Sequence, residues 1–328
     1  MPSTNPQVDV VGVGLNALDT IICVPRLPGL DSKMELLSAH ISAGGQVASA
    51  MVACSLWGLR SRYVGSVGED HAASLHRREF DRHGVEAHLF AVQGCQSQFA
   101  YILVDQASGE RSILWKRDAR LALQPESLRR EWITDARALL VDGHDAPAAA
   151  TAARWAREAG IPVVADLDNI YAGAESLLDN VDYLFASRDF PERLIGTGDL
   201  LDSLPQIAAR FGCHVSAATL GRHDVLAYSE GRFSYCPGFR VATVDTTGAG
   251  DIFHAGVVYA VLQGWPLSRI LDFSCAAAAL NCTAIGARGA IRPFAEIERL
   301  ISQGQRYDPP EDFASLAKFR IKSQGTLE

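Results

Sequence analysis

Hydrophobic positions along the chain form short apolar runs that alternate with longer helical segments. Val8 to Val13 is a β-branched run that ends at glycine, which indicates a buried strand. Ala43 to Leu59 is apolar nearly all round, as in a buried helix, and Ser61 to Val67 predicts the next strand. Asp70 to His83 is a polar segment that predicts a helix ended by Gly84.

In the second half of the chain the pattern predicts strands that alternate with helices, followed by a hairpin and two alanine-rich helices. Alternation at this spacing favours a mostly parallel sheet with helices on both faces. The predicted strands are Leu139–Asp142, Ile161–Asp166, Val181–Ala186, Cys213–Leu220, Asp224–Ser229 and Arg232–Pro237, and the helices are Pro147–Ala159, Leu200–Phe211, 249–263 and 267–284.

Between these two regions the pattern changes to a β-hairpin. Gln98–Asp105 and Arg111–Lys116 are β-rich runs joined by a glycine-containing loop. With Met34–Ile41 as a third strand, they predict a small sheet that covers one side of a larger domain. We expect this cover to include about residues 30–42 and 90–118.

Composition narrows the class of protein. The length is compatible with one large α/β domain, which we predict over residues 1–328 with a loosely held tail at 308–328. Hydrophobic residues make up 48% and charged residues 21%, which excludes fibrous and wholly disordered classes. The net charge of −8 argues against nucleic acid as a partner.

The chain has no run of ~18 apolar residues and no signal-like start, so we expect a cytoplasmic protein that does not bind membranes. Seven cysteines without a Cys-x-x-Cys pair argue against a disulfide framework or a zinc cluster.

The segment from Val244 to Phe253 runs from a strand into a helix through a glycine-rich turn. Gly248 and Gly250 allow a tight turn in which successive N–H groups point to one spot and favour an anion at the helix N-terminus. Asp251 follows in the first helical turn. A carboxylate beside a phosphate site makes sense if it accepts a proton from an attacking hydroxyl. The alternative is an ordinary helix cap.

A second glycine pair lies before the buried helix, in the segment from Ala43 to Ala50. Gly44 and Gly45 allow a close backbone approach, which would suit polyol hydroxyls, a phosphate or a turn required by packing alone. Other nucleotide motifs do not match: no lysine follows a glycine as in a Walker A loop, and both Gly-x-Gly pairs lack the third glycine of a dinucleotide site. His254 is interpreted as a packing residue.

The segment Asp245–Asp251, with Phe253 and Gly256, resembles the C-terminal motif of the PfkB, or ribokinase-like, sugar kinases. Gly44-Gly45 and Val64–Asp70 resemble their N-terminal motif, and the resemblance spans roughly residues 8–300. It implies a ribokinase-like three-layer α/β/α sandwich with a mostly parallel central sheet and a small β-sheet lid. The implied activity is transfer of the γ-phosphoryl group of ATP to a sugar hydroxyl, with ATP and Mg²⁺ as cofactors.

The resemblance also implies roles for single residues. Catalysis would use Asp251 as the base and Gly248, Ala249 and Gly250 as the anion hole. The substrate would contact Asp19, Gly44, Gly45, Ser49 and Asp145, with Ser49 standing where the family often has asparagine. Apart from the resemblance, Arg111, Lys116 and Arg117 lie on or just after the lid hairpin, where cations that face the pocket would suit an acidic or phosphorylated sugar. A solvated lid face is the alternative. The nucleotide would contact Thr219, Gly221, Cys275 and Ala278, and Asp245 and the Thr247 carbonyl match a monovalent-cation (K⁺) site.

One motif departs from the family, and two other functions stay open. The magnesium-organising Asn-x-x-Glu motif is Ser187–Phe190 here, so Asp189 or Asp166 would have to replace the glutamate. A nucleoside kinase would need a base-stacking aromatic ring, for which Phe99 or Tyr101 are candidates. A non-catalytic nucleotide-binding regulatory homologue is the third reading.

The hairpin strand after Gln98 also predicts an interface. Both of its faces are apolar, whereas an exposed antiparallel strand usually keeps a polar outer face. We therefore expect a homodimer through the lid, with packing on the chain's own α/β domain as the alternative. The two faces carry Phe99, Tyr101 and Leu103, and Ala100, Ile102 and Val104.

Overall fold

The computed structural model describes residues 6–223 and 225–313. Within them, one sheet has nine strands and a smaller sheet has four. The strands are β1 (Val10–Val13), β2 (Ala17–Val24), β3 (Ser38–Gly44), β4 (Ser61–Gly68), β5 (Glu86–Val92), β6 (Phe99–Asp105), β7 (Arg111–Lys116), β8 (Ala138–Asp142), β9 (Val163–Leu167), β10 (Tyr183–Ser187), β11 (Val215–Thr219), β12 (Val225–Ser229) and β13 (Arg232–Cys236).

Helices cover the large sheet. They are α1 (Gln46–Leu56), α2 (His71–Arg82), α3 (Arg130–Thr134), α4 (Ala146–Glu158), α5 (Ala174–Leu178), α6 (Phe190–Ile195), α7 (Leu200–Phe211), α8 (Ala249–Leu262), α9 (Leu267–Asn281) and α10 (Phe294–Gln303).

The large sheet has the order β13-β12-β11-β10-β9-β8-β1-β4-β5 and is parallel from β11 to β5. Strands β12 and β13 are added antiparallel at one edge. Val10 and Leu140 face one hydrophobic core with residues of α1, α8 and α9, whereas Val11 and Leu139 face the other core with α4. Alternate residues of the central strands thus serve opposite cores, which produces three layers, as predicted.

The strand order reverses beside β1, because β4 and β5 lie on one side of it and β8 to β11 lie on the other. Ligands in open α/β sheets bind outside the carboxyl ends of the strands at such a point. The fold therefore places the expected site at this edge of the sheet.

The small sheet, called the lid below, has the order β3-β2-β6-β7. Ile21, Ala100, Ile102 and Val104 form its buried inner cluster, against which Ile285 of the large domain packs. The sheet covers the carboxyl ends of the central strands.

The lid differs from the prediction in two strands. The third strand spans Ser38–Gly44 rather than Met34–Ile41, and Ala17–Val24 was not predicted as a lid strand. Phe90 belongs to β5 of the large sheet, so the lid's second segment begins later than residue 90. The reason is that β2 pairs with β6, about 80 residues away, and local patterns do not report such pairing.

Two predictions fall partly on residues outside the described ones. Asp224 at the start of the predicted hairpin and residues 314–328 of the predicted tail lie there. Among residues 6–223 and 225–313, no helix is long and apolar enough to cross a membrane. The cytoplasmic location stays a prediction.

Candidate active site

A cavity of about 440 Å³ lies between the lid and the carboxyl ends of the central strands. Seven of the predicted site residues line it together. These are Asp19, Gly45, Thr219, Thr247, Gly248, Gly250 and Asp251. A smaller cavity of about 250 Å³ beyond the lid edge contains none of the predicted site residues.

The glycine-rich turn has two glycines with different physical roles. Gly248 caps α8 with a φ of 76°, and a Cβ there would collide with the Ala287 carbonyl oxygen. Gly250 lies in the first turn of α8, and among the described residues no heavy atom outside its own helix and chain neighbours comes within 4 Å of its Cβ position. Packing therefore requires Gly248, whereas the space before Gly250 is open to a ligand. Ala249, the third predicted anion-hole residue, is the first residue of α8.

Asp251 stands beside this open space on α8. Burial raises the pKa of Asp251 to about 6, and the charges of Arg111 and Arg288 and a hydrogen bond from Ser49 limit the rise. A general base works best when its pKa lies near the working pH. The surroundings of Asp251 thus suit proton acceptance.

Asp19 faces the same cavity from β2. Its side chain is buried, and burial together with the charge of Asp251 raises its pKa to about 7. A Cβ on Gly44 would collide with the Asp19 carboxylate, so only glycine lets β3 approach so closely. Gly45 has a φ of 97° and lines the cavity at the start of α1.

Ser49 and Arg288 lie behind the two carboxylates. The Nε of Arg288 donates to the Ser49 hydroxyl at 3.3 Å, and its Nη2 donates to the Gly44 carbonyl at 3.4 Å. Asp19 and Asp251 both interact with the Arg288 charge. Arg288 is therefore a partly buried counter-charge that sequence reasoning missed, and no motif in the sequence marks it.

Asp145 and Arg117 bind each other instead of facing the cavity. Arg117 Nη2 lies 2.8 Å from Asp145 Oδ1, and the same oxygen accepts the Leu123 amide at 3.1 Å. Arg117 also donates to the carbonyls of His144 and Leu121. These partners occupy both side chains, and a substrate contact of Asp145 or Arg117 stays a prediction.

Other side chains that line the cavity were missed, although their position after central strands was a usable signal. Asp168 follows β9 and His144 follows β8, whereas Asp166, which lies within β9, was already named as a replacement for the missing glutamate. The ring of His144 lies 6.2 Å from that of Trp115 and 4.9 Å from that of Tyr171, so these three form an aromatic wall. Their aromatic faces suit a sugar or a base.

His254 does more than fill space. Its Nδ1 lies 2.7 Å from the Gly250 carbonyl and 3.2 Å from Asp166 Oδ2, and its Nε2 lies 3.0 Å from the Phe185 carbonyl. Burial lowers the pKa of His254 and raises that of Asp166 well above its usual range, so we treat them as a neutral pair. A neutral imidazole carries one N–H, so His254 can donate to only one of these acceptors while it lies between the Gly250 and Phe185 carbonyls.

A magnesium ion would find oxygen ligands on one side of the cavity. The carboxylates of Asp166 and Asp168 line it there, and Mg²⁺ in kinases is usually held by one or two carboxylates together with substrate phosphates. Asp189 is exposed outside the cavity, and Phe190, at the position of the missing glutamate, is buried. Within the described part of the chain, no three His, Cys, Asp or Glu side chains form a cluster that holds a metal alone.

Of the four predicted nucleotide residues, Thr219 lines this cavity and the other three lie outside it. The Thr219 hydroxyl donates to the Ala186 carbonyl at 3.2 Å. Gly221 lies in the turn after β11, and Cys275 and Ala278 are buried on α9. Their contact with adenine stays a prediction.

The sequence model of the pfkB family carbohydrate kinases matches residues 7–293. The chain belongs to this family. An ATP-dependent ribose-1-phosphate kinase from Halopiger xanaduensis is 31% identical over 292 residues, which cover 87% of this chain and 95% of that protein. A ribokinase from Haemophilus influenzae is 26% identical over 283 residues, which cover 83% of this chain and 92% of that protein. The solved structure of Arabidopsis thaliana ribokinase with ribose and ATP has a TM-score of 0.76 at 24% identity and covers 91% of this chain and 99% of that one.

Family membership confirms three predictions. The PfkB resemblance is confirmed, the ribokinase-like α/β fold is confirmed, and the enzyme is a phosphotransferase with an alcohol group as acceptor.

Proposed function

We propose that this pfkB family kinase transfers the γ-phosphoryl group of ATP to a hydroxyl of a sugar or sugar phosphate. The observation that carries the proposal is that Asp251, the open Gly250 backbone and the buried Asp19 meet in one cavity. The ATP-dependent activity named for the Halopiger xanaduensis relative adds support.

In the proposed reaction, Asp19 orients the acceptor by binding its hydroxyls, and Asp251 takes the proton of the attacking hydroxyl. The amides of the Gly248–Gly250 turn stabilise the charge that develops on the transferred group. A magnesium ion bound with Asp166 and Asp168 would neutralise phosphate charge and would favour the ionised form of Asp166. The lid excludes water that would otherwise compete as acceptor.

Arg111 supplies positive charge to the lining of the cavity. Of the described residues that line the cavity, it is the only arginine or lysine, and it faces four aspartates. A polyphosphate or an anionic sugar entering such a site requires a cation. Arg111 also donates to Thr246 directly before the anion-hole turn. We therefore propose that Arg111 binds the transferred phosphoryl group or a phosphate on the sugar.

A nucleoside acceptor is the second candidate. The aromatic wall of Trp115, His144 and Tyr171 favours it, since a base would stack there. Phe99 and Tyr101, the rings considered from the sequence, alternate with the inward-facing Ala100 and Ile102, and Tyr101 is exposed. They therefore offer no stacking surface inside the cavity. A non-catalytic role has less support, because the carboxylate of Asp251 is retained with a suitable pKa.

We also propose a homodimer through the outer face of the lid. Ile41, Tyr101 and Leu114 on this face are 66%, 48% and 60% exposed, so residues 6–223 and 225–313 leave them open. A second copy is the occupant that we propose, because closed two-fold pairs are the commonest assemblies.

The substrate class is tested by measuring ADP release from ATP with pentoses, hexoses, ribose 1-phosphate, sugar acids and nucleosides. We expect saturable turnover with a sugar or sugar phosphate. Turnover with nucleosides alone would favour the second candidate, and ADP release with none of them would contradict the proposal.

A further inference from the structure

The family resemblance implies a monovalent cation bound by Asp245 and the Thr247 carbonyl. Such an ion needs oxygen atoms whose lone pairs can replace its hydration shell. The hydrogen bonds of these groups therefore decide whether an ion fits.

Three donors from the chain itself bind the Asp245 carboxylate. Its Oδ1 accepts the Thr247 amide at 2.8 Å and the Thr247 hydroxyl at 2.7 Å. Its Oδ2 accepts the Gly286 amide at 2.8 Å. Asp245 is completely buried, and these three donors stabilise its charge from within the chain.

The carbonyls beside Asp245 are bound by the side chain of Asn281. This residue ends α9 and is completely buried. Its Nδ2 donates to the Thr247 carbonyl at 3.3 Å and to the Ala287 carbonyl at 3.1 Å, while its Oδ1 accepts the Ala290 amide at 3.2 Å. Only the amide nitrogen can donate to two carbonyls, so the contacts fix the orientation of the side chain.

These contacts join the anion-hole turn to the loop that supports it. Thr247 precedes Gly248, and a Cβ on Gly248 would collide with Ala287. Holding the two carbonyls at a fixed separation therefore holds the turn against its neighbour. A cation at this place would supply positive charge to the same carbonyls, but here it would meet the amide hydrogens of Asn281.

We propose that the side-chain amide of Asn281 takes the place of a monovalent cation, and that this kinase works without one. The link to catalysis rests on the proposed anion hole. Asn281 is a positioning residue that acts through Thr247 and Gly248.

The wild-type protein gives the first test. Melting temperatures are measured in KCl and in N-methyl-D-glucamine chloride at equal ionic strength, where we expect the same value. An ion that binds the folded protein at a hundred times its Kd would raise the melting temperature by several degrees. A K⁺-specific rise of that size, or strong K⁺ activation of turnover, would overturn the proposal.

Variants give the second test. Asn281→Ala removes the donors and leaves space between the carbonyls, and Asn281→Asp keeps the shape but replaces the donors with a charge. We expect both to melt at lower temperature without K⁺ and to regain stability and affinity for ATP specifically with K⁺. Asn180→Ala, at a partly exposed asparagine that donates to the Ser176 carbonyl, is the control and should respond equally to both salts.

If the folded Asn281 variants show the same melting temperature and ATP affinity with and without K⁺, the proposal that Asn281 takes the place of the cation is contradicted. If neither variant folds, the wild-type comparison still decides. Because melting needs no turnover, failure of the proposed sugar kinase activity would not be mistaken for failure of this inference.

Discussion

Arg111 donates a hydrogen bond of 2.6 Å from Nη1 to the hydroxyl of Thr246 and so joins the lid to the loop before the anion-hole turn. The Thr246 hydroxyl in turn donates to the Gly109 carbonyl at 3.3 Å. Nearby, Arg222 Nη2 lies 3.1 Å from Glu110 Oε1. The tip of the lid hairpin therefore touches the loops at which we expect the phosphates to bind.

Arg111→Gln should move the acid limb of the pH–rate profile. Burial raises the pKa of Asp251 to about 6, and the Arg111 charge is the strongest of the influences that lower it. Without this charge the pKa of Asp251 rises, and since the base must be unprotonated, kcat/KM should start to fall at a higher pH than in the wild type. Arg222→Gln removes a lid contact outside the cavity and should leave the limb in place. If the acid limb of Arg111→Gln lies at the wild-type pH, the charge of Arg111 does not influence the base Asp251.

Gly250→Ala and Gly248→Ala should fail in different ways. The Cβ of Gly250→Ala meets open space, so its melting temperature should match or exceed that of the wild type, while ATP binding and turnover fall. Gly248→Ala combines a φ of 76° with a collision at Ala287 and should melt several degrees lower. Thermal melts and ATP titrations of the pair check this. Full activity of Gly250→Ala would contradict the proposed anion hole at this turn.

Asp19→Asn should weaken sugar binding far more than ATP binding. A hydrogen bond to a charged group is worth ~1.5–3 kcal/mol, and Asp19 lies in the proposed sugar half of the cavity. Calorimetric titration with the preferred sugar and with ATP separates the two effects. Equal losses for both ligands in a folded variant would place Asp19 outside the sugar site.

The same variant should also remove one source of pH dependence from the melting temperature. Burial raises the pKa of Asp19 from 3.8 in the unfolded chain to about 7. The folded state therefore keeps a proton that the unfolded state has released, and Asp19 loses its stabilising contribution as the pH rises between these values. Asp19→Asn has no proton to lose, so its melting temperature relative to the wild type should be higher at pH 8 than at pH 4. A constant difference across this range would contradict the raised pKa.

Charges on the outer face of the lid should produce a monomer. Tyr101→Asp with Leu114→Asp places two carboxylates on the exposed apolar surface, where a second copy would have to desolvate them. Light scattering at micromolar concentration should show a dimeric wild type and a monomeric variant. Leu201→Asp, at an exposed leucine of α7, is the control and should stay dimeric. A monomeric wild type would contradict the proposed interface through the lid.

The sequence predicted those parts of the site that depend on local structure. The turn at Gly248–Gly250 and the position of Asp251 follow from glycine conformation and from where a helix begins, and the structure has them in place. Asp168, which directly follows β9, could have been found from its place at the end of a central strand.

Contacts between distant segments were not predictable in this way. Strand β2 pairs with β6, Arg117 binds Asp145, and Arg288 reaches Ser49 across 239 positions of the chain. Each contact depends on how the lid and the last loop fold back over the sheet. Local periodicity carries no information about them.

Asp251→Asn tests the central claim most directly. Turnover is measured with ATP and the preferred sugar, and ATP binding is measured by calorimetry on the same sample. If Asp251 is the general base, the variant binds ATP like the wild type and its kcat falls by ~10²–10⁴-fold. A folded variant that keeps more than about a tenth of wild-type turnover would contradict the account, because general-base loss is expected to cost far more than that.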